Sequence, residues 1–290
     1  MDTNPLSPGL CRGKLSLLSP AAADPNFGSW LLRQCRKLRI NAIIPTTDAD
    51  LEVLSENREL FLRSGTEIFA SPSETIRICN DKSRFYDFFR KHGIRVPAVF
   101  KKNQKSFPFP IFIKPCFGRG SDQAMIVRDS RELSYWLRVI ERPLLQQYIK
   151  GVEYTIDLFL DREGKPVSIV PRERIATRAG VSDIGRTVND QSLIRFARRV
   201  TETLPFLGPI NLQCIRRGKE IFLTEINPRF SGGISLTISA GADFAEWTVM
   251  MLEGKKVLPR MGKFLPDLVM MVYEQAIYLP WAKQKKSSDR

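Results

Sequence analysis

The stretch EINPR at residues 225–229 decides how this chain is interpreted. Side chains of a strand alternate between its two faces, so Glu225 and Asn227 lie on one face, two residues apart. A carboxylate and an amide oxygen side by side suit a hard cation such as Mg²⁺, which completes its coordination with phosphate oxygens or water. Arg229 follows at once and offers a fork of N–H donors to an anionic group beside that metal. The stretch predicts a metal and phosphate site at the end of a strand.

A hairpin brings two further polar side chains, Asn211 and Gln213, toward this stretch. The segments on either side of Arg217-Gly218 have strand patterns, and such a pair is typical of a hairpin turn. If the turn contains an odd number of residues, Asn211 and Gln213 fall on the face that carries Glu225, because faces alternate with period two. Polar residues facing water are the alternative explanation, and five convergent polar side chains favour the site.

The composition of the 290-residue chain permits one large or two modest domains, since 43% of its residues are hydrophobic. No run of about 18 apolar residues occurs, so no membrane span is predicted. Five cysteines without a CxxC spacing are expected to be reduced, in a cytoplasmic protein. The single histidine, His92, argues against a His-based zinc site and against Ser-His-Asp catalysis.

The net charge of +14 indicates an anionic partner, which could be a nucleotide, an acidic metabolite, a nucleic acid or a membrane surface. The basic residues are scattered and are not interleaved with aromatic residues, as they are in a groove that stacks bases. This disfavours nucleic acid, although a basic RNA-associated protein stays an alternative. The basic end at 281–290 is expected to be disordered.

Strand and helix patterns divide the chain into a first domain at 1–71 and a second at 72–280. In the first, strands at 40–45 and 67–70 flank a helix at 49–63, an alternation that argues for a parallel, doubly wound sheet. In the second, helices are predicted at 81–92, 131–141, 191–204 and 242–252, and strands at 111–114, 124–128, 144–149, 153–160, 166–172, 209–216 and 219–227. Residues 175–189 show little periodicity and are expected to form a mobile functional loop.

A second phosphate contact is predicted where Lys114 ends a strand, just before the loop Gly118-Arg119-Gly120-Ser121. Glycines let backbone N–H groups approach a phosphate, the serine adds a hydroxyl donor, and the lysine neutralises charge. A glycine loop alone is weak evidence, since most such loops are simple turns. Its combination with the hairpin favours a phosphate site.

A connection to a further strand contains Gln147, Tyr148 and Ile149 and leads to Glu153. Backbone groups of such a connection can meet a purine edge, and an acidic residue nearby can accept hydrogen bonds from ribose hydroxyls. An edge-strand glutamate in water is the alternative. Three arginines follow at a strand end and loop and suit carboxylate or phosphate recognition; they are Arg172, Arg174 and Arg178.

In order and spacing, these motifs resemble those of the ATP-grasp superfamily over about residues 80–258, and particularly those of the carbamoyl-phosphate synthetase large subunit. The resemblance implies an α/β fold of the α+β ATP-grasp type. A Rossmann-like domain at 1–71, which looks truncated, would precede an ATP-grasp domain. The subdomains of that domain, at about 72–147 and 148–280, would hold the nucleotide between them.

The resemblance also implies roles for individual residues. Those that would contact the nucleotide are Lys82, Lys114, Gly118, Arg119, Gly120 and Ser121 at the phosphates, Gln147, Tyr148 and Ile149 at adenine, and Glu153 at ribose. Those that would hold Mg²⁺ or Mn²⁺ are Gln213, Glu225 and Asn227, with Gln213 also touching the nucleotide. Those that would act at the transferred phosphate are Arg229, Lys114 and Asn227. Those that would bind the substrate are Arg172, Arg174, Arg178, Ser231 and Gly232.

The activity that the resemblance implies is that of a ligase. ATP would phosphorylate a carboxylate, and an amine or similar nucleophile would attack the acyl phosphate. The expected partners are small-molecule carboxylates and amines, and a homodimer is an expected assembly. An ATP-binding regulatory protein without catalysis is the alternative.

Overall fold

The computed structural model describes residues 1–117 and 123–278. The predicted loop at 118–121 and the basic end at 281–290 lie outside these residues. By their internal contacts, the described residues form two compact units: Met1–Ile68 together with those from Val272 on, and Phe69–Met271. The predicted boundaries after residues 71, 147 and 280 stay predictions.

The described part of the chain contains both helices and strands. The helices are α1 (Phe27–Leu38), α2 (Asp48–Glu56), α3 (Arg58–Arg63), α4 (Ser73–Asn80), α5 (Lys82–Lys91), α6 (Ser130–Val139), α7 (Gln191–Thr201), α8 (Ile234–Ser239) and α9 (Phe244–Leu252), with a 3₁₀ turn at Pro8–Cys11. The strands are β1 (Ala42–Ile43), β2 (Glu67–Ile68), β3 (Val99–Phe100), β4 (Ile111–Pro115), β5 (Met125–Val127), β6 (Pro143–Gln147), β7 (Val152–Leu160), β8 (Pro166–Arg178), β9 (Val181–Thr187), β10 (Gly208–Arg217), β11 (Glu220–Asn227) and β12 (Val269–Met271). In the residues described, every helix is too short or too polar to cross a membrane.

The first unit contains the predicted parallel strand pair. In it, β1 and β2 lie side by side with Ala42 opposite Glu67, which confirms the predicted strand–helix–strand order. The helix predicted over 49–63 is instead two helices that meet at Asn57. The Asn57 side-chain amide donates to the Val53 carbonyl at 2.8 Å, and such side-chain bonds compete with the helical backbone.

The second unit contains a four-stranded antiparallel sheet, here called the small sheet, in the order β3-β6-β4-β5. Its inner face and helix α6 share an apolar cluster that includes Ile111, Ile113, Val127 and Leu133. An aspartate begins α6, since the Asp129 carboxylate accepts from two backbone N–H groups of the first turn. The small sheet carries Lys114 at the end of β4.

The second unit also contains a six-stranded antiparallel sheet, here called the large sheet, in the order β11-β10-β7-β8-β9-β12. One of its faces packs against α5 and α7 in a single apolar core. Phe85 and Phe89 of α5 and Leu193 of α7 are buried in that core beside Ile156 and Leu158 of β7. The alternation of β7 therefore leaves the opposite face of this sheet for polar residues.

The prediction of a mobile loop at 175–189 is wrong. Residues 175–178 are the last four of β8 and residues 181–187 are β9, and the two strands form an antiparallel hairpin. Ala179 and Gly180 make its two-residue turn with φ values of 48° and 76°, the backbone form that matches the twist of paired strands. The polar residues of this hairpin hide the apolar alternation from which strands are recognised.

Candidate active site

Polar side chains of four neighbouring strands share one face of the large sheet. In the register, Gln213 of β10 lies opposite Thr155 of β7 on one side and Glu225 of β11 on the other. Thr155 lies opposite Arg172 of β8. Because faces alternate with period two, the residues that share this face are Glu153, Thr155, Asp157, Arg172, Arg174, Asn211, Gln213, Glu225 and Asn227.

The hairpin β10–β11 reaches this arrangement through a β-bulge. Its turn contains two residues, an even number that would have placed Gln213 and Glu225 on opposite faces. The register shifts between Gln213 and Cys214, and Thr224 is left without a cross-strand partner. The extra residue reverses the alternation, so the predicted convergence occurs by a different route. Bulges of this kind are frequent beside active sites.

Hydrogen bonds among amides fix the far end of the hairpin. The Asn211 amide group donates to the carbonyls of Asn227 and Arg229, at 3.3 and 3.1 Å. The Asn227 amide donates to the Asn211 side-chain oxygen at 3.3 Å, and its own side-chain oxygen accepts from Arg229 Nη2 at 3.2 Å. Since an amide oxygen has two lone pairs, that of Asn227 keeps one for a further ligand.

The oxygen donors that could hold a metal are few. They are the Glu225 carboxylate and the side-chain amide oxygens of Gln213 and Asn227. In the described part of the chain, no group of three or more His, Cys, Asp or Glu side chains could hold a metal ion. One carboxylate with two amide oxygens fits Mg²⁺, which keeps waters and binds substrate phosphates. The donor set therefore suits a cation that arrives with a phosphate ligand.

A cavity of about 260 Å³ lies between residues of the small sheet and the polar face of the large sheet. It is lined by Lys82, Lys114, Gln147, Tyr148, Ile149, Glu153, Arg174, Gln213 and Glu225, among others. All nine are residues that the sequence analysis placed in a nucleotide, metal or substrate site. The structure brings them together although 143 positions separate the first from the last.

Two lysines enter this cavity from different elements. Lys82 opens α5, and its Nζ lies 3.5 Å from the Cys116 carbonyl. Lys114 ends β4, and its Nζ donates to the Tyr86 hydroxyl at 2.9 Å. Loss of hydration lowers the pKa of Lys114 to about 8, and the negative charge of Glu225 opposes that shift. Both ammonium groups are placed to neutralise an anion.

The end of β6 presents a polar group that the sequence analysis missed. Gln147, the predicted residue, uses its backbone N–H in a 2.7 Å hydrogen bond to the Ala98 carbonyl. The preceding Gln146 is 5% exposed and lines the cavity. Its side-chain Oε1 has no hydrogen-bond partner among the described residues. The period-two alternation of β6 could have assigned Gln146 and Gln147 to opposite faces.

Arg172 belongs to a buried cluster. Its Nε donates to Asp157 Oδ2 at 2.7 Å, and its Nη2 donates to Asp157 Oδ1 at 3.2 Å and to Ser231 Oγ at 2.8 Å. Thr237 Oγ1 also donates to Asp157 Oδ2, at 2.5 Å. We call Arg172, Asp157, Ser231 and Thr237 the clamp cluster. The predicted substrate role of Arg172 and Ser231 stays a prediction, and their contacts are those of a structural ion pair.

Arg174 differs, because its guanidinium lines the cavity. Nη1 donates to Thr155 Oγ1 at 3.1 Å and Nη2 to the Gly180 carbonyl at 3.0 Å. Nε is buried, lies 3.5 Å from the Glu153 carboxylate and has no hydrogen-bond partner among the described residues. Burial lowers the pKa of Arg174, and Glu153 opposes that shift. Arg174 thus holds an unused N–H donor.

The remaining predicted substrate residues lie near the β8–β9 hairpin. Arg178 is about half exposed and pairs with Asp183 at 3.3 Å. Gly232 approaches β9 so closely that a Cβ there would lie 2.8 Å from Val181 Cγ1. The close approach explains why a residue without a side chain stands at 232. Gly118, Arg119, Gly120 and Ser121 lie outside the described residues.

The second unit is thus an arrangement of helices with two antiparallel sheets that line one polar cavity. Residues 140–275 match the family described as "ATP-grasp in the biosynthetic pathway with Ter operon", and residues 1–69 match the "PylC-like, N-terminal domain". The carbamoyl phosphate synthase large chain of Thermoplasma volcanium is 25% identical over 235 residues. That match covers 71% of this chain and 22% of the relative, so this chain spans about a fifth of the relative's length.

Solved structures show the same fold. A biotin carboxylase–β,γ-ATP complex from Campylobacter jejuni superposes with a TM-score of 0.72 at 16% identity, over 90% of this chain and 65% of that one. N5-carboxyaminoimidazole synthetase from Staphylococcus aureus gives a TM-score of 0.72 at 14% identity, over 92% and 74%. The chain thus has a PylC-like N-terminal domain followed by an ATP-grasp domain, and it is homologous to the carbamoyl phosphate synthase large chain.

Proposed function

We propose that this chain is an ATP- and Mg²⁺-dependent ligase that activates a carboxylate as an acyl phosphate for attack by an amine or a similar nucleophile. The observation that supports this most is the cavity in which Lys114 of the small sheet shares a lining with Gln213 and Glu225 of the large sheet. A positive charge and oxygen ligands for a metal at one cavity suit the binding of a nucleoside triphosphate with its Mg²⁺ ion. The names of the relatives agree with this class of reaction.

The base and sugar of ATP are assigned to the segment between β6 and β7. The Oε1 of Gln146, which has no hydrogen-bond partner within residues 1–117 and 123–278, would accept a hydrogen bond from the exocyclic amino group of adenine, which would satisfy a buried acceptor. The backbone of Tyr148 and Ile149 would meet the rest of the purine edge. Glu153, whose side chain is 55% exposed, would accept hydrogen bonds from the ribose hydroxyls.

The phosphates are assigned to the region between the two lysines and the bulged hairpin. Lys82 and Lys114 would neutralise phosphate oxygens, with the loop at 118–121 as a further contact. Glu225, Gln213 and Asn227 would hold the Mg²⁺ ion. When bound, Mg²⁺–ATP supplies the transferable phosphoryl group, and the protein contributes position and charge, which dominate catalysis of such transfers.

The substrate carboxylate is assigned to Arg229, which follows β11, and to the β8–β9 hairpin. Arg229 would orient the transferred phosphoryl group through its fork of donors, and it is held in place by its bonds to the Asn227 side-chain oxygen and to the Phe230 carbonyl. Arg178 and the backbone at Gly232 would contact the carboxylate. The partners proposed are a small carboxylate and a small amine, and a homodimer stays a prediction.

The proposal is tested by ADP release. The purified chain is given Mg²⁺–ATP with pools of carboxylates and amino acids, beside Glu225→Gln and the matched control Glu220→Gln. Glu220 lies on the same strand, in exposed ion pairs with Arg95 and Arg217. We expect ADP release that depends on a carboxylate, persists in Glu220→Gln and is lost in Glu225→Gln.

Two results would contradict the ligase. Tight Mg²⁺–ATP binding without ADP release for any pool would favour a regulatory ATP-binding protein. Salt-sensitive binding to bulk RNA, with no response to Mg²⁺–ATP, would favour a basic RNA-associated protein.

A further inference from the structure

A tyrosine outside the predicted site connects the two sheets. Tyr86 lies on α5 and is 1% exposed. Its hydroxyl accepts a hydrogen bond from Lys114 Nζ at 2.9 Å and donates one to the main-chain carbonyl of Thr224 at 2.9 Å. Lys114 belongs to the small sheet and Thr224 to the large sheet. One hydroxyl therefore joins the lysine of one sheet to the strand of the other sheet that carries the predicted metal ligand Glu225.

The bulge explains why the Thr224 carbonyl is available. Thr224 is the residue that has no cross-strand partner in the β10–β11 hairpin. A carbonyl shielded from water and without a partner costs free energy, and the Tyr86 hydroxyl supplies a partner for the partly buried Thr224 carbonyl. Since Thr224 directly precedes Glu225, the same bond fixes the backbone from which the predicted metal ligand projects.

The second bond of Tyr86 orients the lysine. An ammonium group has three N–H donors, and one of those of Lys114 is used on Tyr86. The Lys114 ammonium also lies 5.1 Å from the centre of the Tyr86 ring, a cation–π distance. Lys114 lines the cavity, and the bond to Tyr86 uses one of its three donors, so two remain for a ligand.

We propose that Tyr86 is a positioning residue for the nucleotide phosphates: its hydroxyl holds Lys114 at a fixed place relative to Glu225 by bonding the ammonium and the bulged strand at once. The proposal rests on the proposed nucleotide function of the cavity. It adds that phosphate affinity depends on a hydroxyl that does not itself touch the nucleotide. The proposal predicts that loss of the hydroxyl weakens the binding of ligands that carry phosphates and does not change the binding of ligands without them.

The test is calorimetric titration of the full chain with Mg²⁺–ADP and, separately, with adenosine. Tyr86→Phe keeps the buried ring and removes the hydroxyl. We expect its affinity for Mg²⁺–ADP to fall about tenfold or more, the usual effect of losing a hydrogen bond to a charged group. Its affinity for adenosine should be unchanged. The matched control is Tyr135→Phe, which removes the hydroxyl of an exposed tyrosine on α6 and should affect neither ligand.

A double-mutant cycle with Lys114→Met tests whether Tyr86 acts through the lysine. In the Lys114→Met background, Tyr86→Phe should cause a much smaller further loss of Mg²⁺–ADP affinity, since only the bond to the Thr224 carbonyl then remains to be lost. An equal further loss would overturn the proposal. Equal losses of adenosine and Mg²⁺–ADP affinity in Tyr86→Phe would also overturn it, because they would indicate general damage to the cavity.

A second measurement applies if Tyr86→Phe does not fold. With 3-fluorotyrosine at position 86, the ¹⁹F resonance should shift when Mg²⁺–ADP binds and stay in place with adenosine; no shift with Mg²⁺–ADP would overturn the proposal. Wild-type protein that binds no Mg²⁺–ADP would contradict the proposed function. Equal Mg²⁺–ADP affinities of wild type and Tyr86→Phe would contradict the role of Tyr86 and leave the proposed function intact.

Discussion

Arg172 and Arg174 lie two residues apart on one face of β8, yet their surroundings are opposite. Arg172 is buried within the clamp cluster, and its positive charge is paired with the Asp157 carboxylate, with 2.7 Å between Nε and Oδ2. Arg174 lines the cavity, has a buried Nε without a hydrogen-bond partner in the described part of the chain, and lies 3.5 Å from a half-exposed Glu153. A polar group whose bonds are all made within the protein maintains structure. A polar group with a spare donor is ready for a ligand.

The same distinction applies to the neighbouring residues of this face. Asn211 satisfies two backbone carbonyls and closes the hairpin end, while Gln146 of the small sheet keeps an acceptor that has no partner among the residues described. Sequence reasoning treats Arg172, Arg174 and Arg178 alike, because spacing shows which residues share a face and not which bonds they make. The predictions below separate structural from ligand-binding polar groups.

The largest effect is expected in the clamp cluster. Asp157→Asn removes the charge that balances Arg172, and breaking a buried ion pair in this way costs about 3 to 5 kcal/mol in the free energy of unfolding. Urea denaturation measures this. Glu202→Gln, which breaks the exposed pair with Arg198, is the control and should leave stability almost unchanged.

The double variant Asp157→Leu/Arg172→Met sharpens that test. Replacing both buried charges with apolar groups should recover most of the lost stability, since no unpaired charge remains. A double variant as unstable as Asp157→Asn would contradict the ion-pair explanation.

The second largest effect is expected at Arg174, where a substitution should weaken ligand binding more than it lowers stability. Arg174→Met should lower the free energy of unfolding by less than Asp157→Asn does, because it removes the hydrogen bonds to Thr155 and Gly180 but leaves no fully buried charge without its partner. Its affinity for Mg²⁺–ADP should fall about tenfold, as expected when a charged hydrogen-bond donor to a ligand is lost. Titration calorimetry measures the affinity, and the exposed Arg198→Met is the control. If Arg174→Met lost as much stability as Asp157→Asn and kept its affinity for Mg²⁺–ADP, Arg174 would have a structural role like that of Arg172.

The smallest effect is expected at the start of α7. Asp190 Oδ1 accepts from the backbone N–H groups of Ser192 and Leu193, at 2.8 and 3.2 Å, and the aspartate pairs with Arg216. Asp190→Ala should cost about 1 kcal/mol of unfolding free energy, the usual value of a helix cap, with no effect on Mg²⁺–ADP affinity.

The pH dependence of that cost has a definite sign. Burial opposes ionisation of Asp190, but hydrogen bonds from Ser192 and Arg216 outweigh it, so the pKa is below the usual 3.8. The stabilisation is therefore fully present above the unfolded-state pKa and is lost as the pH falls through the folded-state pKa. The stability difference between wild type and Asp190→Ala should be constant near neutral pH and shrink below about pH 4. A difference that grows in acid would contradict the assigned bonds.

Much of this fold can be predicted from local patterns. Capping aspartates mark the starts of α5, α6 and α7, and the apolar spacing of Phe85 and Phe89 identifies the face of α5 that is buried. The EINPR stretch predicts which face of β11 carries the site, because alternation along a strand is strict.

What could not be predicted depends on contacts between distant residues. The bulge at Thr224 follows from pairing across two strands, which no local pattern reveals. The hydroxyl of Tyr86 matters only because Lys114 and Thr224 meet it from separate sheets. The β8–β9 hairpin was missed because apolar side chains such as Ile175 and Val181 are exposed while polar ones such as Ser182 and Thr187 are buried, so the sequence shows no regular alternation.

The central claim, that this cavity is a Mg²⁺-dependent nucleotide site, is tested most directly by titrating ADP into the full chain with Mg²⁺ and with EDTA, for wild type and Glu225→Gln. Removal of a ligand is expected to cost metal affinity about 100-fold or more, since even residues that only support the ligands cost 10- to 100-fold. The account predicts that Mg²⁺ tightens ADP binding to wild type and has almost no effect on Glu225→Gln. Absence of ADP binding, or equal enhancement by Mg²⁺ in both proteins, would contradict it.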